Sequence, residues 1–323
     1  MTTPAATQAA QMLANLTAED FLPQPAAPPP ATAPRFRRPV QANRPALPPI
    51  GERMRPCGEI YKPRHIGPHE DLALLRAAHR HRQHVLLYGP PGTGKTAMIE
   101  AAYASDDGPG LETVIGSADL TEADLVGTFV QDPTTRAFSW APGPLHRSVL
   151  RNVPLLIDEI ALIEPRVLAI LYPLMDGRGE LRITANPQLP PLPVRSGWMV
   201  VAACNPDVPG AQLSEALKSR FAHHLLVGTD WQLARELGVP DKAVTVAQNL
   251  DGRREREDDT LSWAPQLREL LTFRDLAALY GEAYAVAALA AAAPEHDRAE
   301  VVAALRRHFT KASVARVEGR YGV

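Results

Sequence analysis

At 323 residues the chain is long enough for one large domain and a smaller one, each with its own core. A formal net charge of −2 gives no basis for general nucleic-acid affinity, and no apolar run approaches the ~18 residues of a membrane span. The N-terminus shows no basic segment leading into an apolar one, and the two cysteines, Cys57 and Cys204, stand outside any metal-ligand spacing. The expectation is a reduced, cytoplasmic protein.

Residues 1–57 read as a proline-rich arm. Met1–Pro56 holds twelve prolines, among them Pro28, Pro29, Pro30, Pro48 and Pro49, which oppose regular helix or strand. Met12, Leu13, Leu16, Phe21 and Leu22 can form a short amphipathic turn, and Arg35, Arg37, Arg38, Arg44, Arg53 and Arg55 make the second half basic. A solvated arm and a docking peptide both fit this composition.

Composition changes from about residue 58. Leu72, Leu74, Leu75 and Ala78 recur at helical spacing in Asp71–Arg82. Short apolar runs follow at Val85–Tyr88, Thr113–Ile115, Leu155–Ile157, Met199–Ala203 and His224–Val227, with helical segments at Thr96–Ala102, Gly143–Arg151 and Arg166–Met175 between them. Buried strands alternating with helices predict an α/β domain over 58–228 with a parallel sheet covered on both faces. Residues 229–323 read as all-helical, with helices around Trp231–Leu237, Asp241–Leu250, Phe273–Ala292 and Asp297–Ala315.

Three strand ends carry chemistry. Gly89–Thr96 (GPPGTGKT) fits G-x-x-x-x-G-K-[ST] between a strand and a helix. In such a loop the backbone N–H groups turn toward phosphate oxygens, the lysine reaches the β- and γ-phosphates, and the hydroxyl is placed for magnesium. The candidate nucleotide contacts are therefore Gly89, Pro90, Pro91, Gly92, Thr93, Gly94, Lys95, Thr96 and Ala97. Leu155–Glu159 (LLIDE) is an apolar strand ending in two acids; Asp158 would hold magnesium with Thr96, and Glu159 would polarise an attacking water. Met199–Pro206 ends in Asn205, whose amide can contact both γ-phosphate and water or simply begin a turn. Arg220 precedes the last strand, either as a surface arginine or as a group that completes a neighbour's site.

In this order the motifs resemble the AAA+ superfamily and, within it, the MoxR group, with the CbbQ/NorQ/GvpN-like branch most similar. Further residues carry the resemblance: Tyr61–Pro63, Asp124–Gly127, Gly143–Leu145, Leu174–Leu181 and Leu213–Phe221 (LSEALKSRF). It covers about Glu59–Val227 well and the helical region loosely. It implies an αβα sandwich with a five-stranded parallel sheet, a C-terminal helical lid domain, and ATP with Mg2+ held between subunits of a ring, usually hexameric. It further implies Asn205 as sensor 1, Arg220 as the trans arginine finger and Arg274 as sensor 2. The function implied is remodelling of a protein client, often with a von Willebrand A-type partner. The Asn-Arg-Ala that many MoxR proteins carry after the acidic pair is absent; Ile160–Pro165 (IALIEP) stands there. A nucleic-acid-handling AAA+ ATPase and a nucleotide-gated scaffold are the alternatives, the first opposed by the balanced charge.

Two insertions complete the expectation. Gly127–Pro142, with Phe129, Phe138 and Trp140, and Met175–Gly197 both carry hairpin punctuation. Their aromatics suit either a client near the pore or packing on their own subunit.

Overall fold

The computed structural model describes residues 46–177, 179–206, 208, 213–256, 261–310 and 312–314. The amphipathic turn Met12–Leu22 and the arginines from Arg35 to Arg44 lie outside the described residues. Five strands form the central parallel sheet: β1 (Val85–Tyr88), β2 (Glu112–Ile115), β3 (Leu155–Asp158), β4 (Val200–Cys204) and β5 (His223–Leu226). Their order is β5-β1-β4-β3-β2, with every neighbouring pair parallel. The sequence places all five, each within a residue of its observed bounds.

Alternation along the central strands divides their side chains between two cores. Leu86, Leu155, Ile157, Val200 and Ala202 face a core shared with helix α3 (Pro144–Arg151). Val85, Leu87, Leu156, Val201 and Ala203 face another, covered by α1 (Asp71–Arg80) and α2 (Lys95–Tyr103). Both edge strands are half-exposed, with burial alternating from residue to residue along each.

Residues 46–56, which the composition assigns to the arm, belong to this body. Arg53–Met54 pairs antiparallel with Ile60–Tyr61, and Ile50 packs against the core beneath α1 and α2. The Ile50 and Gly51 amides donate to the Glu70 carboxylate at 2.7 and 3.1 Å. Prolines allow this because an extended, docked segment asks for few ladder bonds. The compact unit therefore begins at Ala46.

The helical region has its own core. It comprises α4 (Trp231–Glu236), α5 (Asp241–Arg254), α6 (Leu267–Tyr280), α7 (Glu282–Ala292) and α8 (Arg298–Arg306). The apolar spacing predicts one helix over Phe273–Ala292, but two are present, parted at Gly281, whose φ of 88° no helix residue adopts. The first starts earlier than predicted because Gln266 and Glu269 form a reciprocal capping box. The last helix ends at Arg306, and Ala315 lies outside the described residues. Arg166–Met175 is likewise not one helix: Pro165–Leu168, a 3-10 turn over Ala169–Leu171 and Tyr172–Met175 follow one another. Pro173 has no N–H for an unbroken ladder and sits in the first turn of the last piece, where none is needed.

His84 ties the sheet to that segment. Its Nδ1 accepts from the Val200 amide at 3.0 Å, which leaves the proton on Nε2 to donate to the Met175 carbonyl at 3.2 Å. Burial pulls its pKa below the ordinary value, outweighing the Met175 carbonyl and the Asp176 charge. The folded state thus favours the neutral ring, while the unfolded chain takes up a proton near pH ~6.5. Stability from this group is whole above that pH and is lost as pH falls toward the folded-state value. The melting temperature should therefore drop between about pH 7.5 and 5.5, and His84→Gln should flatten that slope in calorimetry; an unchanged slope would assign the effect to other groups.

Candidate active site

The ends of β1, β4 and β3 meet at one edge of the sheet. Cys204 is in register with Tyr88, and Ala202 with Ile157, so Gly89, Asn205 and Asp158 emerge together. Acids and amides are tolerated beside so apolar a sheet only at such an edge, where a ligand or water can meet them.

The loop after β1 is shaped by close contact with its neighbour strand. Gly89 has φ 147°, and a Cβ there would stand 2.3 Å from the Val227 carbonyl oxygen, so glycine alone fits. Thr93 braces the loop from within, its Oγ1 donating to the Pro90 carbonyl at 3.1 Å. Lys95 Nζ donates to the carbonyls of Gly89 and Pro90, both at 2.9 Å. Burial pulls the Lys95 pKa below the ordinary lysine value, against the opposing pull of Glu159 and Asp158. A desolvated cation held by two loop carbonyls is poised to exchange them for phosphate oxygens.

Thr96 Oγ1 donates to Asp158 Oδ2 at 2.8 Å. Two oxygen side chains suit magnesium, which keeps several waters and shares itself with phosphates. Among the described residues no group of three or more His, Cys, Asp or Glu side chains could hold a metal by itself. Glu159 follows directly in the left-handed region, φ 50° and ψ 41°, a rare conformation outside glycine that concentrates at functional sites. Its amide donates to Asp158 Oδ1 at 3.1 Å, and the Gly116 amide donates to the Asp158 carbonyl at 2.7 Å. Gly116 was not singled out by any sequence motif. A Cβ there would lie 2.4 Å from the Glu159 carbonyl oxygen, so the strained turn depends on it.

A cleft of about 510 Å3 joins these residues to the lid. Gly92, Lys95, Thr96, Ala97, Asp158 and Glu159 line it together with the apolar Ile60, Leu233, Leu237, Leu267 and Leu271. Arg268 also lines it, and its amide donates to the Gly92 carbonyl at 3.0 Å. Arg274, which the resemblance implies as sensor 2, donates to the Leu237 carbonyl at 2.8 Å and pairs with Asp275, and it is not among the residues lining the cleft. The signal for Arg268 was the capping box at Gln266, which fixes the helix start and hence which arginine falls in its first turn. Asn205 is buried at the sheet edge. Arg220 stands outside the cleft: its guanidinium meets Asp176 at 2.8 and 2.9 Å and lies 4.5 Å from the centre of the Tyr172 ring.

A glycine-shaped loop opening a helix, a buried lysine, and a hydroxyl bonded to a strand-end acid define a P-loop nucleotide-binding domain. Residues 84–221 match the family described as AAA domain (dynein-related subfamily). Over this region it is similar to protein NorQ of Paracoccus denitrificans, 32% identical across 46% of this chain and 53% of the relative. The denitrification regulatory protein NirQ of Stutzerimonas stutzeri is also 32% identical, over 47% and 52%. Protein CbbQ of Hydrogenophilus thermoluteolus is 28% identical, over 47% and 56%. The chain spans about half the length of these relatives. Among the described residues no helix is long and apolar enough to cross a membrane.

Lys95→Ala should lower ATP affinity at least a hundredfold in isothermal titration while the ligand-free melting temperature stays close to that of the wild type, since the loss is a charge-assisted contact to the ligand. Wild-type affinity in this variant would remove the loop from the site.

Proposed function

We propose that the chain is an ATPase that binds ATP with magnesium in this cleft, hydrolyses it at the interfaces of a ring of like subunits, and uses the cycle to remodel a protein client. The hydrogen bond from Thr96 to Asp158, with Lys95 and Glu159 beside it, carries this reading. Lys95 gives up its loop carbonyls to bind the β- and γ-phosphates, and the loop amides turn to the same oxygens. Thr96 and Asp158 would hold the magnesium ion, which when bound neutralises charge on the phosphates. Glu159 orients the water and draws its proton toward the carboxylate, and Asn205 steadies that water from the neighbouring strand end. Arg268 brings the lid's positive charge to the same cleft.

Arg220 is the candidate finger toward a neighbouring subunit, a role its absence from the wall of its own cleft supports. The hairpin of Gly127–Gln131 and Phe138–Pro142 is the candidate client contact. Trp140 packs on its own subunit, against Phe129 and with its indole N–H on His146, whereas Phe138 is 68% exposed. A von Willebrand A-type partner, implied by the resemblance of the motifs to the MoxR group, is the companion to look for.

Glu159→Gln should bind ATP normally and hydrolyse it very slowly, because an amide cannot take the water's proton. Near-normal turnover in that variant would place the base elsewhere. Gly116→Ala should also cost turnover, since the added Cβ displaces the Glu159 turn and presses on the Asp158 carbonyl beside it. Arg220→Ala should bind ATP and lose about three to five orders of magnitude in turnover. Mixed with Glu159→Gln protein it should recover part of that, because some interfaces then hold both intact groups. Absence of recovery in rings shown to exchange subunits would mean that Arg220 acts within its own subunit.

A further inference from the structure

Arg64 is a buried cation, 7% exposed, on the segment between Pro63 and α1. One end of its guanidinium is fixed by α1 and the strand before it. Nε donates to Tyr61 Oη at 3.2 Å and stands 3.7 Å from Asp71 Oδ2, which accepts the Tyr61 hydroxyl at 2.5 Å. Asp71 is wholly buried, so neither charge can leave without stranding the other. The other end meets the loop after β1. Nη1 donates to the Thr93 carbonyl at 2.9 Å and to the Gly228 carbonyl, just past β5, at 3.4 Å. Nη2 lies against Gly94, 3.7 Å from where a Cβ would stand.

A trans peptide is planar, and its C=O and N–H point in opposite directions. Holding the Thr93 carbonyl on Arg64 therefore aims the Gly94 N–H away from Arg64. Gly94 lines the cleft beside Lys95 and Thr96. Nothing local fixes this peptide plane, because flipping it changes the φ of Gly94, now 87°, and glycine accepts either sign. The grip on Thr93 is thus what the backbone itself does not supply. Gly89, at the head of the same loop, abuts the Val227 carbonyl next to Gly228, so Arg64 seats the loop on the chain segment it already touches. We propose that Arg64 is a positioning residue for phosphate binding, keeping the Gly94 amide turned toward the ligand's phosphates by holding the Thr93 carbonyl. The proposal rests on the cleft being the nucleotide site. The amide it orients meets phosphate alike before and during reaction, so losing that orientation weakens binding and spares the chemical step.

The test measures binding of ATP and of inorganic tripolyphosphate, which offers the phosphates without the nucleoside, to the full chain with magnesium. It compares the wild type, Arg64→Lys, and the charge-balanced pair Arg64→Met with Asp71→Asn, with melting to verify folding and steady-state hydrolysis to separate KM from kcat. The paired variant removes both buried charges together, so neither is left unpaired. It should bind both ligands about tenfold more weakly, in parallel, with KM raised and kcat at saturating ATP close to wild type. Arg64→Lys should lose less, since the ammonium keeps the charge beside Asp71 but has no second nitrogen to hold Tyr61 while it reaches Thr93. Wild-type affinity for tripolyphosphate in a folded variant would overturn the proposal, whether or not ATP affinity falls. A fall in kcat at unchanged KM would overturn it too, as the mark of a purely structural role. So would failure of both variants to fold, which would make Arg64 a residue of the core. A wild type that binds ATP but not tripolyphosphate would place the affinity in the nucleoside and refute the assignment, while one that binds neither would refute the nucleotide site itself.

Discussion

The hydrogen bond between Thr96 and Asp158 joins the first turn of α2 to the last residue of β3, and the site depends on both being rigid. Helix α2 is pinned against one face of the sheet by Met98, Ile99, Ala101 and Ala102, and β3 is buried between two strands. Neither end can drift without disturbing a close-packed core. Lys95 and Glu159 are the immediate chain neighbours of the bonded pair, so their positions follow from it. Electrostatics reinforces the arrangement: burial disfavours the Lys95 ammonium, and Asp158 and Glu159 offset that cost. Removing either carboxylate leaves the lysine less compensated, so the three charges act as one unit.

The lid meets this unit through its own helix start. Leu267 donates its amide to Thr229 Oγ1, which in turn donates to Gln266 Oε1, so the linker after β5 and the start of α6 are tied together. The Arg268 amide then reaches the Gly92 carbonyl. The positive end of the α6 dipole therefore faces the Gly92 carbonyl at the phosphate-type loop.

Legibility of the sequence followed the physics of each signal. The five strands, the loop Gly89–Thr96 and the pair Asp158–Glu159 are local patterns, set by burial on both faces and by strand-end chemistry, and they could be read directly. Arg268 and Gly116 could not. Each is placed by a partner far along the chain, Gly92 and Glu159 respectively. Arg274 is implied only by the resemblance, with the helix taken to start near Phe273; the capping box sets that start at Leu267, and Arg274 donates to the Leu237 carbonyl. The proline-rich composition likewise hid residues 46–56, whose place in the body rests on Glu70 and on pairing with Ile60–Tyr61.

For the trans role proposed for Arg220, the contact with Asp176 has the strength such a role requires. An unpaired arginine at a subunit's flank would sample many rotamers and lose side-chain entropy on docking. Asp176 grips its guanidinium with two nitrogens and Tyr172 lies beneath it, so the group is already oriented. Both partners keep about a fifth of their side-chain surface in solvent, 21% and 23%, so the held guanidinium can still be reached from outside the subunit. His84 fixes the geometry at both ends: its carbonyl accepts the Ala222 and His223 amides just past Arg220, and its ring holds the Met175 carbonyl just before Asp176. The arginine and the acid that holds it are thus both tied through His84 to the strand start that leads into the phosphate-type loop.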